Sequence, residues 1–250
     1  KIANKCRKKF ITIQSEESCR FVEELLIALP TIVCDLQTHQ VHTFYEAVAS
    51  MISAETDPSR REVLLESLMS LPNAAWKAIM TRAAQDINVL YDSRGTKEII
   101  KIVRTNARVC TAIGPNAFNS QMGYIFQDIL NVYAAYSRRI AQCVEQNGEI
   151  AVKSSEVRSL RNAKREMLRL LDAFVKHAAS DDGSRRLVAT HFVPNMLEII
   201  LPDYELTIPT AREAEVLNLL ATSILKLQQT ITSNVPAILK AVFECTLQMI

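Results

Sequence analysis

The chain has 250 residues, 48% of them hydrophobic and only 5 of them glycine, where average usage gives about 17. Folds built on many positive-φ turns or close backbone approaches, such as sandwiches, barrels and nucleotide-binding α/β sheets, are therefore disfavoured, and an all-α chain is predicted. The 29 basic and 27 acidic side chains leave a net charge of +2, too little for a protein whose affinity rests on neutralising nucleic-acid phosphates.

The first ten residues, KIANKCRKKF, carry five basic side chains, and no apolar signal-peptide core follows them. From Phe21 to Leu36 the apolar positions Phe21, Leu25, Leu29, Ile32 and Val33 mark an amphipathic helix, which Pro30 should kink. Thr38 can cap a second helix through about Ala54, joined so tightly to the first that the two must be antiparallel neighbours. Asp57-Pro58 opens a helix through Ser70, Pro72 opens another through about Ala84, and Thr96 to Ile113 forms a further one. Gly114-Pro115 is a break. Beyond it Phe118, Met122, Ile125, Ile129, Val132, Tyr136, Ile140 and Cys143 keep helical spacing in one long helix that stops at Asn147-Gly148. Helices then follow from Ser155 to Ala178, from Arg186 to Leu201 with a bend at Pro194, from Ala211 to Gln228, and from Ser233 onward. Residues 181–184 and 202–209 read as loops.

Ten or so helices on short turns suit a bundle or a stack of helical hairpins. The runs FYEAVASMI at Phe44 and VFECTLQMI at Val242 resemble each other and start 198 residues apart, about five units of about 40 residues. This favours an α-solenoid of antiparallel HEAT-repeat helix pairs, a single continuous segment over residues 1–250 with about five to six repeats. Neither end carries a stop signal, so the chain reads as cut from a longer solenoid.

Little in the sequence points to catalysis. Six cysteines (Cys6, Cys19, Cys34, Cys110, Cys143, Cys245) lack paired metal-ligand spacing and read as reduced, mostly buried thiols. His39 and His42 share a helix face with no third ligand four residues on, so packing or surface roles are favoured and no metal is expected. Cys34 and Cys110 have no base nearby in sequence, and Glu145/Glu149 and Glu213/Glu215 read as solvated helix charges rather than catalytic carboxylate pairs. No catalytic residue and no cofactor is expected, and no apolar run is long enough to insert in a membrane. Trp76, the single tryptophan, should anchor a hairpin core with Ile79 and Met80.

The exception is electrostatic. Arg158, Arg161, Arg165, Arg169 and Lys176 fall within roughly 80° of one helix, opposite Val157, Leu160, Met167, Leu171, Phe174 and Val175. The stripe is either a solvated outer face or an anion-complementary inner surface that docks an acidic protein or pairs with a neighbouring acidic helix. With no interleaved aromatics, RNA is a poor third.

The runs CDLQTHQVHTFYEAV at Cys34, LPNAAW at Leu71, TNARVCTAIG at Thr105, DILNVY at Asp128, AREAEVL at Ala211 and VFECTLQMI at Val242 closely resemble the exportin-1 family of nuclear export receptors, within the importin-β superfamily. They occur in the family's order across essentially the whole chain. The resemblance implies a ring-like superhelix of HEAT repeats that binds leucine-rich-signal cargo together with Ran-GTP. It also implies passage through nuclear pores on phenylalanine-glycine repeats, and shuttling between nucleus and cytoplasm. It further implies that the signal groove with its reactive cysteine lies before Lys1, so that this stretch is part of the arch. The competing reading is a helical-repeat scaffold without transport activity.

Overall fold

The computed structural model describes residues 2–246. They form thirteen α-helices and three short 3-10 helices, with no strand among the described residues. In chain order the helices are α1 (Ile2–Phe10), α2 (Phe21–Ile27), α3 (Leu29–Cys34), α4 (Thr38–Ile52), α5 (Pro58–Gln85), α6 (Asn88–Tyr91) and α7 (Ser93–Ile113). They continue as α8 (Asn119–Asn147), α9 (Ser155–Ala178), α10 (Asp182–His191), α11 (Val193–Leu206), α12 (Ala214–Leu227) and α13 (Val235–Thr246).

The helix starts follow local capping chemistry. Asp57 Oδ1 accepts from the Ser59 N–H at 3.1 Å, with Pro58 in the first turn where its missing N–H costs nothing. Asp92 Oδ1 accepts from Arg94 and Gly95 N–H at 2.7 and 2.6 Å, and Ser154 Oγ from Val157 N–H at 3.2 Å. Asp181 Oδ1 accepts from Ser184 N–H at 2.9 Å, and that bond leads the interactions holding the Asp181 carboxyl down at about 2. Gly114 and Gly148 end α7 and α8 with φ of 100° and 69°, as the break and stop signals predict.

Several boundaries differ from the sequence reading. Pro30 and Pro194 do not bend continuous helices: the helices break at Ala28 and Phe192, and each proline sits in the first turn of the next one. Phe192 at the second break is wedged between Phe126 and Phe174, with ring centroids 4.9 and 4.8 Å away. Pro72 and Pro202 do the opposite and lie inside α5 and α11. Leu68, Met69, Trp76 and Ile79 are buried on both sides of Pro72, so packing carries α5 across one missing hydrogen bond. Residues 182–184 and 202–206, read as loops, are helical. The start of α4 is capped at Gln37, whose N–H donates to Gln40 Oε1 at 2.8 Å, rather than at Thr38. Asn88–Tyr91, unassigned by the sequence reading, folds back on the start of α7 at Gly95. A β-carbon there would stand 2.0 Å from the Val89 carbonyl oxygen, so only glycine fits.

The helices stack in two layers. One runs α2/α3, α5, α8, α10/α11, α13, and the other runs α1, α4, α7, α9, α12, with each helix packed against the next of its layer. The core lies between the layers and includes Tyr45, Trp76, Tyr133, Tyr136 and Phe174. This is an α-solenoid, in which each repeat rests on its neighbours. The second layer's helices approach one another more closely, as those on the concave side of a solenoid do, and it is called the inner layer on that ground. The run at Phe44 lies in α4 of the inner layer, whereas the run at Val242 starts in α13 of the outer layer and ends at 247–250, outside the described residues. Their likeness is therefore not a repeat register: amphipathic helices share apolar spacing whatever their layer. No helix among the described residues is long and apolar enough to cross a membrane.

Candidate functional surfaces

The predicted basic stripe lies on α9, in the inner layer between α7 and α12. Its members part company. Arg161 Nε donates to Glu213 Oε1 at 2.6 Å, and Arg165 Nη1 lies 3.8 Å from the other oxygen of that buried carboxylate. Arg169 donates to Glu166 at 2.8 Å and to Glu215 at 2.7 Å, while Arg104 of α7 reaches Glu166 at 3.0 Å. Three of the five cations thus engage acids within the chain, two of which, Glu213 and Glu215, sit at the start of α12. Arg158 and Lys176 are exposed and carry no ion pair among the described residues. Glu213 is therefore not the solvated helix charge that the sequence suggests: it is buried and held by Arg161 and Arg165, while Glu215 is held by Arg169.

The same helix carries a cation that the stripe pattern concealed. Lys164 is buried, and its ammonium lies 2.8 Å from Asp203 of α11 and 4.6 Å from the centre of the Tyr133 ring. The Tyr133 hydroxyl donates to the same carboxylate oxygen at 2.7 Å. Burial lowers the Lys164 pKa and Asp203 opposes that shift, while burial raises the Tyr133 pKa, helped by the Asp203 charge. This cluster joins α8, α9 and α11, tying the outer layer to the inner one.

A second basic row, absent from the sequence reading, lies on α7. Arg94, Lys97, Lys101, Arg104 and Arg108 recur at alternating steps of three and four, one face of a helix. Four of them border a cavity of about 510 Å³ that also touches Thr38 and His42 of α4 and Asn162 of α9. His42 Nε2 donates to the Lys101 carbonyl at 3.3 Å. Burial leads in lowering the His42 pKa, and the cations Arg104, Arg108 and Lys101 add to it. The spacing was legible in the sequence, but alternation with apolar residues made it look like an ordinary amphipathic face.

On the outer layer, α8, α11 and the residues after α11 enclose an apolar groove of about 450 Å³. Ala134 and Ala141 leave room on the α8 side, Ile140, Val144 and Ile199 form the floor, and Leu206 stands at the rim, 85% exposed.

The remaining candidates divide between packing and surface positions, and of the six cysteines read as mostly buried only Cys110, Cys143 and Cys245 are buried. Trp76 is buried, as predicted, and its Nε1 donates to Asp128 Oδ2 at 3.1 Å. Cys110 is buried and its thiol pKa is raised by that burial, whereas Cys34 is exposed with its thiol 2.9 Å from the Thr31 carbonyl. No group of three or more His, Cys, Asp or Glu side chains among the described residues could hold a metal ion.

A two-layer helical stack with charged helices in one layer and an apolar groove on the other defines a helical-repeat protein. The family model described as CRM1 C terminal matches residues 121–250. The chain is 44% identical over 250 residues to Protein EXPORTIN 1B of Arabidopsis thaliana and 40% identical over 250 residues to Exportin-1 of Schizosaccharomyces pombe. It is 43% identical over 251 residues to Exportin-1 of Drosophila melanogaster. Each match covers 100% of this chain and 23% of the relative, so the chain spans about a quarter of their length. The chain belongs to the exportin-1 family.

Proposed function

We propose that the chain is a segment of a nuclear export receptor that forms part of its superhelical arch and a protein–protein interaction surface, acting by binding and not by catalysis. The observation that carries this reading is the unbroken similarity to exportin-1 proteins along the whole chain. Four successive helix pairs, α2/α3 with α4, α5 with α7, α8 with α9 and α10/α11 with α12, support one continuous HEAT-repeat segment flanked by α1 and α13. In the full receptor, Ran-GTP and leucine-rich-signal cargo bind together, and the complex shuttles between nucleus and cytoplasm. Curvature in a solenoid is a sum of small rotations between neighbours, so a segment without the signal groove still shapes how the ends of the receptor approach each other.

The outer groove gives this segment a contact of its own. Its apolar floor and alanine-lined wall suit the phenylalanine side chains of nucleoporin phenylalanine-glycine repeats. Titrating a phenylalanine-glycine repeat peptide against the chain, followed by NMR, should perturb Ala141, Ile199 and Leu206. Ala141→Asp with Leu206→Asp should weaken binding at least about tenfold by desolvating a carboxylate against the aromatic ring. Both residues are exposed, so the helical circular dichroism should not change. Equal affinity for parent and variant would show that the groove is not where the repeats bind.

A further inference from the structure

We propose that the cavity between α4, α7 and α9 is a docking site for an acidic peptide carrying a phosphorylated side chain. This inference goes beyond the export reading and stands on the charge and shape of the cavity. Arg94, Lys97, Lys101 and Arg104 present their side chains over successive turns of α7. Of these four cations only Arg104 has an ion-pair partner among the described residues, Glu166. Glu98 on the same rim is turned to Arg82 at 3.8 Å, which leaves the cavity's positive charge largely uncompensated.

Neighbouring cations at this spacing stand about 5–6 Å apart at their β-carbons, close enough for two or three to share one phosphoryl group with its double charge and three acceptor oxygens. Thr38 and Asn162 add neutral polar groups and Ile100 an apolar wall, so a peptide side chain, and not only an ion, has surface to rest on. The track continues beyond the cavity. Arg158 stands one helical turn before Asn162 on α9, exposed and without an ion pair among the described residues, where it can meet a carboxylate flanking the phosphorylated position. The cavity lining contains no Phe, Tyr or Trp, and its one aromatic ring, His42, is tied to the Lys101 carbonyl, which offers no row of rings for successive bases and favours a peptide over single-stranded RNA.

The test is fluorescence anisotropy with a labelled peptide holding one phosphoserine among glutamates, beside its unphosphorylated form, a single-stranded RNA of similar charge, and inorganic phosphate as competitor. The phosphopeptide should bind, with the unphosphorylated form about tenfold weaker and affinity falling as salt is raised. Lys97→Glu with Lys101→Glu should abolish binding, and Lys97→Gln with Lys101→Gln should weaken it about tenfold with helicity retained. The glutamine pair guards against misfolding of the reversed one. The His42 ring and the Asn162 side-chain amide should shift in NMR spectra on titration. Phosphopeptide affinity unchanged in the glutamine variant, tighter binding of the RNA, or competition by inorganic phosphate at the peptide's own affinity would each overturn the proposal.

Discussion

Replacing Asp203 by alanine is expected to lower the unfolding free energy by about 3–5 kcal/mol, because it strands a buried ammonium without its counter-ion. The Lys164 side chain is 4% exposed and Asp203 supplies the carboxylate 2.8 Å away, which also accepts the Tyr133 hydroxyl at 2.7 Å. Removing it therefore leaves two buried donors, the Lys164 ammonium and the Tyr133 hydroxyl, without their acceptor. The pH dependence gives an independent signature. In the folded chain the Lys164 pKa lies below its ordinary 10.5 because burial disfavours the charged form, and Asp203 limits that fall. Without Asp203 it falls further. Between that folded value and 10.5 the unfolded chain holds a proton that the folded chain lacks, so stability rises with pH across the window. The variant's urea-unfolding free energy should therefore climb more steeply than the parent's as pH approaches 10.5 from below. Replacing the pair together, Lys164→Met with Asp203→Leu, should restore the share of the loss due to the stranded ammonium, while the Tyr133 hydroxyl, still without its acceptor, keeps the remainder. A cost below about 1 kcal/mol for the single variant, or parallel pH slopes, would mean that the cluster is solvated and does not tie the layers together.

The second large effect is expected at Trp76. It is the single tryptophan of the chain, 2% exposed in the middle of α5, and its indole N–H donates to Asp128 of α8. Trp76→Ala removes both the packing and the hydrogen bond between consecutive outer-layer helices and should cost about 3–5 kcal/mol in urea denaturation. Trp76→Phe keeps most of the apolar volume and should cost about 1–3 kcal/mol, the part due to the smaller ring and the unpaired carboxylate. Because each repeat rests on its neighbours, the loss should appear as a lower midpoint of the whole helical transition when the stack unfolds as one unit. An alanine variant with the parent's midpoint would contradict the placement of Trp76 in the core.

Features set by neighbours in sequence could be read from it, and features set across layers could not. Asp57-Pro58 and Gly148 announce their helix ends because capping and positive φ act over a few residues. The prolines divide along the same line. Pro30 and Pro194 stand at breaks, while Pro72 and Pro202 are carried inside helices. What separates the cases is packing around each proline, which no local pattern encodes.

The surfaces follow suit. The α9 stripe was visible as a pattern, but its split into ion-paired Arg161, Arg165 and Arg169 and exposed Arg158 and Lys176 depends on acids 46 to 52 residues away in sequence for the α12 contacts. Lys164 looked like one more charge on a charged helix because its partner Asp203 lies 39 residues on, in a stretch read as a loop. The α7 row is different: its spacing was present in the sequence, and only its position beside α4 and α9 makes it a cavity wall.

The most direct test of the export-receptor reading is an exchange. The chain would replace the matching stretch of the Drosophila melanogaster Exportin-1, to which it is 43% identical, and the chimaera would be used to pull down a leucine-rich export-signal peptide with and without Ran-GTP. The folded chimaera should capture the peptide, with Ran-GTP strengthening the capture to the extent measured for the unaltered receptor in the same assay. A well-folded chimaera whose peptide binding ignores Ran-GTP, while the unaltered receptor responds, would contradict that reading.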